Sequence, residues 1–211
     1  MKSAPRAVIV TGDAEQAGSL QGKILADIWK SNTATIDRNK DNILQYSMLQ
    51  GSLNNASTIL RSKNSIKSIN SEGIKTNELS STVCNWNKEC AKINIETSFI
   101  TLGNKIEAII SNNDEMAIGA IEALQKYGFN KNDKLKYIPI VGIGGLGKAK
   151  ELIDQGIMAG TVIEDLTAQA NAIYNVGMNL VSGKYSLDGT NLKFDETGMT
   201  IKIPYYKYVK Q

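Results

Sequence analysis

Ile106-Glu-Ala-Ile-Ile-Ser-Asn-Asn-Asp-Glu-Met-Ala-Ile-Gly-Ala-Ile-Glu-Ala-Leu-Gln-Lys-Tyr-Gly128 is a strand handed directly to a helix. Residues 106–110 form a short, mostly apolar run rich in Ile, the pattern of a strand buried on both faces. From Asn113 onward, Met116, Ala117, Ala120, Ile121 and Leu124 recur at helical spacing, and Gly128 supplies a C-terminal stop. Asn112, Asn113 and Asp114 mark the junction, where Asn and Asp serve as ordinary helix caps. In an open parallel sheet the same junction is where ligands bind, and an Asn there can both donate to and accept from a hydroxyl.

The same alternation extends to both ends of the chain. Upstream, Ala7-Val-Ile-Val-Thr11 reads as a strand, and Asp13 with Gln16 caps a helix that carries Leu20, Ile24, Leu25 and Ile28 on one face. A strand at 43–49, a helix at 55–70, a strand at 74–83 and a weaker helix at 87–101 follow. Downstream come a polar link at 130–136, a strand at 137–143, a short helix ending at Gly156, a strand at 159–163 and a helix at 166–182. A final strand at 199–204 closes the chain. Strands alternating with helices predict an α/β fold, a three-layer parallel sheet with helices on both faces.

Composition narrows the function classes. The chain has 211 residues, 42% of them hydrophobic, and a net charge of +3 that is dispersed among acidic neighbours. No basic stripe points to nucleic acid. There is no histidine, which removes the commonest general base and transition-metal ligand. Most hydrolase and zinc schemes therefore fail. Cys84 and Cys90 flank Trp86 without zinc-type partners and are expected to be buried thiols, a local disulfide being the less favoured alternative. The start of the chain lacks the long apolar stretch of a leader, and no segment reads as a membrane span.

Asp37-Arg-Asn-Lys-Asp-Asn-Ile-Leu-Gln45 places oxygen ligands at alternate positions, as a calcium loop does: Asp37, Asn39, Asp41, the Ile43 carbonyl and Gln45. Asn42 stands where a helix-loop-helix calcium site has Gly, and Asn tolerates the left-handed backbone needed there. Met48 stands where that motif has a bidentate Glu, so a carboxylate must come from a distant segment. A solvated turn is the plain alternative. Gly142-Ile-Gly-Gly-Leu-Gly147 follows a strand, precedes a helix and has Glu164 further on, which is the context of a dinucleotide site. A tight glycine turn explains it more simply. Arg61 and Trp86 offer the two elements of sugar recognition, paired donors and an aromatic face.

The runs Gly12 to Gly18 with Gln21-Gly22, Asp37 to Gln45, Gly73 to Thr76, Asn112 to Leu124, Ala159 to Val162 and Asp188 to Asn191 occur in one order. Together they resemble the type I periplasmic solute-binding proteins of sugar ABC transporters, of the galactose- and glucose-binding kind. The resemblance covers nearly the whole chain as a periplasmic-binding-protein-like C-terminal lobe. It implies a sugar-binding lobe with the calcium loop at 1–164, a crossover helix and segment of the missing N-terminal lobe at 165–198, and a C-terminal strand and tail at 199–211. With that lobe missing, the apolar face of the 166–182 helix, carrying Ile173, Val176, Gly177 and Leu180, is expected to be exposed, self-associating or differently docked.

The resemblance also implies site residues. Glu107 falls where the family's bidentate calcium ligand lies, giving a structural Ca2+ site of Asp37, Asn39, Asp41, Ile43, Gln45 and Glu107. Arg61, Trp86 and Asn113 match sugar-contact positions. Asn55 replaces a family His, Ser57 and Gly144 replace Asp residues, and Glu164 replaces Asn, so binding of a galactose- or glucose-class monosaccharide should be weakened or altered. The implied setting is periplasmic or extracellular, with an ABC permease and possible chemoreceptor as partners. The rival readings are a dinucleotide-dependent oxidoreductase built on Gly142 to Gly147 and the ligand-sensing domain of a transcription regulator.

Overall fold

The computed structural model describes residues 7–131 and 133–210; the basic start at 1–6, position 132 of the polar link and the last residue lie outside it. In chain order the elements are β1 (Ile9–Gly12), α1 (Ala14–Ile36), β2 (Ile43–Gln50), α2 (Ala56–Ser71), β3 (Lys75–Val83), α3 (Lys88–Leu102), β4 (Ala108–Ser111) and α4 (Asp114–Lys126). They continue with β5 (Ile140–Gly144), α5 (Gly147–Asp154), β6 (Gly160–Glu164), α6 (Leu166–Val181), β7 (Thr200–Ile203) and β8 (Tyr205–Tyr208). The described residues form two compact units: 14–163 with 206–210, and 7–13 with Glu164–Tyr205.

In the larger unit the strand order is β3-β2-β4-β5-β6-β8, and the pairings among β2 to β6 are parallel. The parallel α/β fold read from the sequence is the fold of the protein. β2 is buried along six of its eight residues, because helices cover both faces of a parallel sheet and leave no wet side. On one face, Leu49, Ile109 and Ile140 pack against Ile95, Phe99, Met116, Ile121 and Leu124 of α3 and α4. On the other, α1 and α2 approach so closely that Ser65 Oγ reaches the Gly18 carbonyl at 3.1 Å. That approach requires glycine in α1: a Cβ on Gly22 would overlap the Ser65 carbonyl.

The smaller unit contains a parallel pair, β1 with β7. Ala172 and Val176 of α6 pack onto Ile201 and Ile203. Ile173, Tyr174, Met178 and Val181 of α6 are exposed, whereas Val176 and Leu180 pack within the smaller unit's own core. The strand expected at 199–204 is β7; Pro204 has no N–H and constrains Ile203, so β7 ends there, and a further strand, β8, which was not expected, joins the larger sheet. One sequence reading needs correction. Cys84 and Cys90 are joined in a disulfide with Cα atoms 5.4 Å apart, not held as thiols. The turn between them brings their Cα atoms within bridging range, a proximity that no residue pattern encodes.

Candidate ligand and metal sites

The two groups of candidate residues in the larger unit lie at opposite ends of β2. The Asp37 to Gln45 loop enters β2, whereas Trp86, Asn113 and Gly144 follow the ends of β3, β4 and β5. An eight-residue strand spans roughly 26 Å, so an ion in the loop would not touch a ligand at the other edge.

At the C-terminal edge, Arg61 projects from α2 and is buried; its Nη1 donates to the Asn112 carbonyl at 2.9 Å. Its guanidinium lies 5.9 Å from the centre of the Trp86 ring, within cation–π range. The indole lies against Gly51, where any Cβ would overlap the ring. Asn112 is buried and fastens the neighbouring loop: its Oδ1 accepts from Gly51 N–H at 3.1 Å. Asn113 caps α4, accepting from Met116 N–H at 2.9 Å and donating to the Trp86 carbonyl at 3.2 Å. One Nδ2 proton and one Oδ1 lone pair remain for a ligand. Asn55 caps α2 by accepting from Ser57 N–H at 2.8 Å, so these two residues work locally as a helix start. The structure therefore brings Arg61, Trp86 and Asn113 together in one cluster. Glu164 ends β6 and belongs to the smaller unit.

The glycine turn is governed by Asp114, which is buried. Its carboxylate accepts from Thr161 Oγ1 at 2.6 Å and from Leu146 N–H at 2.8 Å, with a further bond from Gly145 N–H. The amides that a pyrophosphate would need are thus held by the chain's own negative charge, which argues against the dinucleotide reading. Gly144 and Gly145 take φ of 142° and 76°, so the glycines serve the turn.

Burial raises the Asp114 pKa against the lowering effect of these bonds and of Arg61. A raised native pKa adds stability below the unfolded value of about 3.9, and that increment is lost as pH rises through the native value. Urea denaturation across this range should show wild type losing stability relative to Asp114→Asn as pH increases. A flat or opposite difference would contradict the buried, desolvated carboxylate.

At the other edge, the loop curls around Asp37 and Asp41. Asp37 Oδ1 and Oδ2 accept from the N–H groups of Asp41 and Asn42 at 3.2 and 2.9 Å. Asn42 takes φ of 59°, the left-handed conformation expected of it. Asp41 Oδ1 accepts from Ile43 N–H at 2.9 Å, and its Oδ2 receives the side-chain amides of Asn39 at 2.8 Å and Gln45 at 2.7 Å. Glu107 reaches in from the start of β4, accepting from Arg38 N–H at 2.8 Å and Gln45 N–H at 3.0 Å. Burial raises the Glu107 pKa; Asp37 and Asp41 push it the same way, while the two N–H groups oppose them. Among the described residues, no three Asp, Glu, Cys or His side chains form a metal cluster by themselves. The donor set also includes neutral oxygens, and Gln45 Oε1 is buried with no partner.

Sequence reasoning missed two residues. Arg38 fastens the loop by donating to the Ile106 and Tyr137 carbonyls, each at 2.9 Å. Gln21, fully buried, donates to the Ser111 carbonyl at 2.7 Å and the Val141 carbonyl at 3.2 Å, and accepts from Ser65 Oγ at 2.7 Å. A polar residue within the apolar stripe of α1 was the available signal for Gln21; nothing local distinguishes Arg38 from a solvated arginine.

A family profile described as a periplasmic binding protein domain matches residues 1–185. The chain is 35% identical over 201 residues to the D-galactose/methyl-galactoside binding periplasmic protein MglB of Haemophilus influenzae, covering 95% of this chain and 58% of that protein. It is similar in fold to an ABC transporter solute binding protein from Bacillus halodurans with bound myo-inositol (TM-score 0.75, 22% identity, 96% of this chain and 60% of that one). GanP, a glucose-galactose binding protein from Geobacillus stearothermophilus, is likewise similar in fold (TM-score 0.76, 16% identity, 99% of this chain and 64% of that one). The chain thus spans about three-fifths of the length of these relatives. Among the described residues no helix is long and apolar enough to cross a membrane.

Proposed function

The chain belongs to the periplasmic binding protein family, and on that footing we propose that it is the ligand-binding lobe of a sugar ABC transporter's solute-binding protein. The observation that carries this reading is the cluster of Arg61, Trp86 and Asn113 at the C-terminal edge of the sheet. A guanidinium beside an indole face, with a partly available amide next to it, suits a small polyol: the ring edge meets donors and the apolar face stacks. Asn55 and Ser57 at the start of α2 are the remaining candidate contacts of the same unit. In this reading the complete protein is periplasmic or extracellular and serves an ABC permease, with a chemoreceptor as a further partner.

The sugar itself is a galactose- or glucose-class monosaccharide bound weakly. Ser57 and Gly144 supply no carboxylate, and each charged hydrogen bond forgone is worth about 1.5–3 kcal/mol. Calorimetric titration of the 211-residue chain with D-galactose, D-glucose, D-allose and myo-inositol tests this. Saturable heat is expected from at least one of them, and Arg61→Ala should abolish it. A folded chain that binds none at millimolar concentration would overturn the ligand reading.

We also propose a structural calcium ion in the Asp37 to Gln45 loop, held by Asp37, Asn39, Asp41, the Ile43 carbonyl, Gln45 and Glu107. Its support is the unpartnered, buried Gln45 Oε1 beside Glu107, whose pKa is raised by burial and by the nearby Asp37 and Asp41. Such a mixed carboxylate and neutral-oxygen set suits calcium better than magnesium, which keeps more of its water. The ion would neutralise the carboxylates and tie β4 to the entrance of β2. It has no part in ligand chemistry.

A further inference from the structure

Of the three clustered ligand candidates, Trp86 alone sits on irregular backbone. Arg61 is carried by a helix and Asn113 by a helix cap. Trp86 lies in the turn between β3 and α3, where Asn85 and Trp86 take successive φ values of 48° and 68°. Residues other than glycine disfavour this left-handed conformation, and it persists only where its surroundings impose it.

The surroundings here are specific. Cys84 N–H is tied to the Gln50 carbonyl at 2.8 Å, and Asn87 N–H closes the turn onto the Cys84 carbonyl at 2.9 Å. Asn87 Oδ1 accepts from Cys90 N–H at 2.8 Å, which starts α3. The Cys84–Cys90 bond joins the two ends of this same turn, so Trp86 lies within the ring that the disulfide closes. Asn94 braces the ring from inside α3, donating to the Cys90 carbonyl at 2.9 Å.

We propose that the Cys84–Cys90 disulfide is a positioning element for the ligand site, holding the Trp86 turn so that the indole stays against Gly51 and beside Arg61. Cutting the bond releases backbone freedom at both ends of a disfavoured turn. The indole then samples orientations in which it cannot stack on a ligand, and binding must pay to order it again. The ligand part of this inference rests on the reading under Proposed function; the positioning part does not.

Fluorescence of Trp86 decides the matter. The chain has two tryptophans, so Trp29→Phe leaves Trp86 as the sole indole. Dithiothreitol delivers two electrons and two protons to the disulfide, leaving two thiols and itself becoming a cyclic disulfide. The reduced chain and the Cys84→Ser/Cys90→Ser variant should both show lower Trp86 anisotropy and stronger acrylamide quenching, with reoxidation reversing the change in the wild-type pair. A D-galactose titration should show affinity falling by roughly three- to tenfold. A lower melting temperature with unchanged Trp86 anisotropy and quenching would overturn the proposal, leaving the bond as a staple only. If the oxidised chain gives no heat with D-galactose, D-glucose, D-allose or myo-inositol, the sugar reading fails while the fluorescence still decides the positioning of Trp86.

Discussion

Millimolar calcium is expected to raise the melting temperature of the chelator-treated chain by roughly 5–10 °C. An ion at a hundred times its dissociation constant adds about 2.7 kcal/mol to the folded state, and for a domain of this size each kcal/mol moves the midpoint by about 2–4 °C. The physical cause is electrostatic. In the ion-free loop, Glu107 is buried and near two other carboxylates, and its pKa is raised. By linkage such a group favours the folded state only at low pH, and that contribution is lost as pH rises through its native value. At neutral pH the Glu107 carboxylate therefore works against folding, and a cation beside it reverses the sign.

Glu107→Gln and Asp41→Ala should each remove most of the calcium response. Magnesium at the same concentration should give a smaller shift. Differential scanning calorimetry with calcium, magnesium or chelator checks all of these, and a midpoint indifferent to millimolar calcium would remove the ion from the account.

Gly22→Ala should lower the melting temperature by roughly 2–12 °C, the range given by an overpacking cost of about 1–3 kcal/mol. Alanine is ordinarily the better helix former, so the expected sign is opposite to the propensity rule. The reason is contact. An added Cβ would overlap the backbone carbonyl of Ser65 and lie 2.8 Å from Ser68 Cβ, and a backbone carbonyl cannot swing aside as a flexible side chain does. Gly18→Ala has an added consequence for the site. Its Cβ would stand 2.5 Å from the Arg61 carbonyl and 2.9 Å from its Cα, so relief requires α2 to shift and carry the guanidinium away from Trp86.

The control is Gly177→Ala in α6, where nothing lies within 4 Å of the added methyl. That change should leave stability unaltered or raise it by up to about 1 kcal/mol. Thermal melts of the three variants separate the two effects. If Gly22→Ala behaves like Gly177→Ala, the close helix approach is not what the glycines secure.

Most element boundaries were legible because local periodicity and capping chemistry agree. The β4 to α4 junction is the clearest instance: an apolar run, then Asn113 as cap, then a helical stripe. The end of the chain was less legible: the strand at 199–204 could be read, but β8 beyond Pro204 could not, and only pairing assigns it to the larger sheet. The candidate site divides in the same way. The alternating oxygens of residues 37–45 can be counted in the sequence, yet Arg38, placed among them, takes its role from carbonyls of Ile106 and Tyr137.

The order of strands and helices, the parallel α/β class and the composition of the calcium-type loop were determined by sequence, because each depends on neighbours within a turn or two of chain. Tertiary structure alone decided that Gln45 Oε1 would be buried without a partner, that Asp114 would hold the amides of the glycine turn, and that Cys84 and Cys90 would be bonded around Trp86. The physical reason is distance along the chain. Burial, charge proximity and close backbone approach arise when separate elements meet, and only the packed sheet brings β4 to the loop before β2, or Trp86 to Gly51 and Arg61.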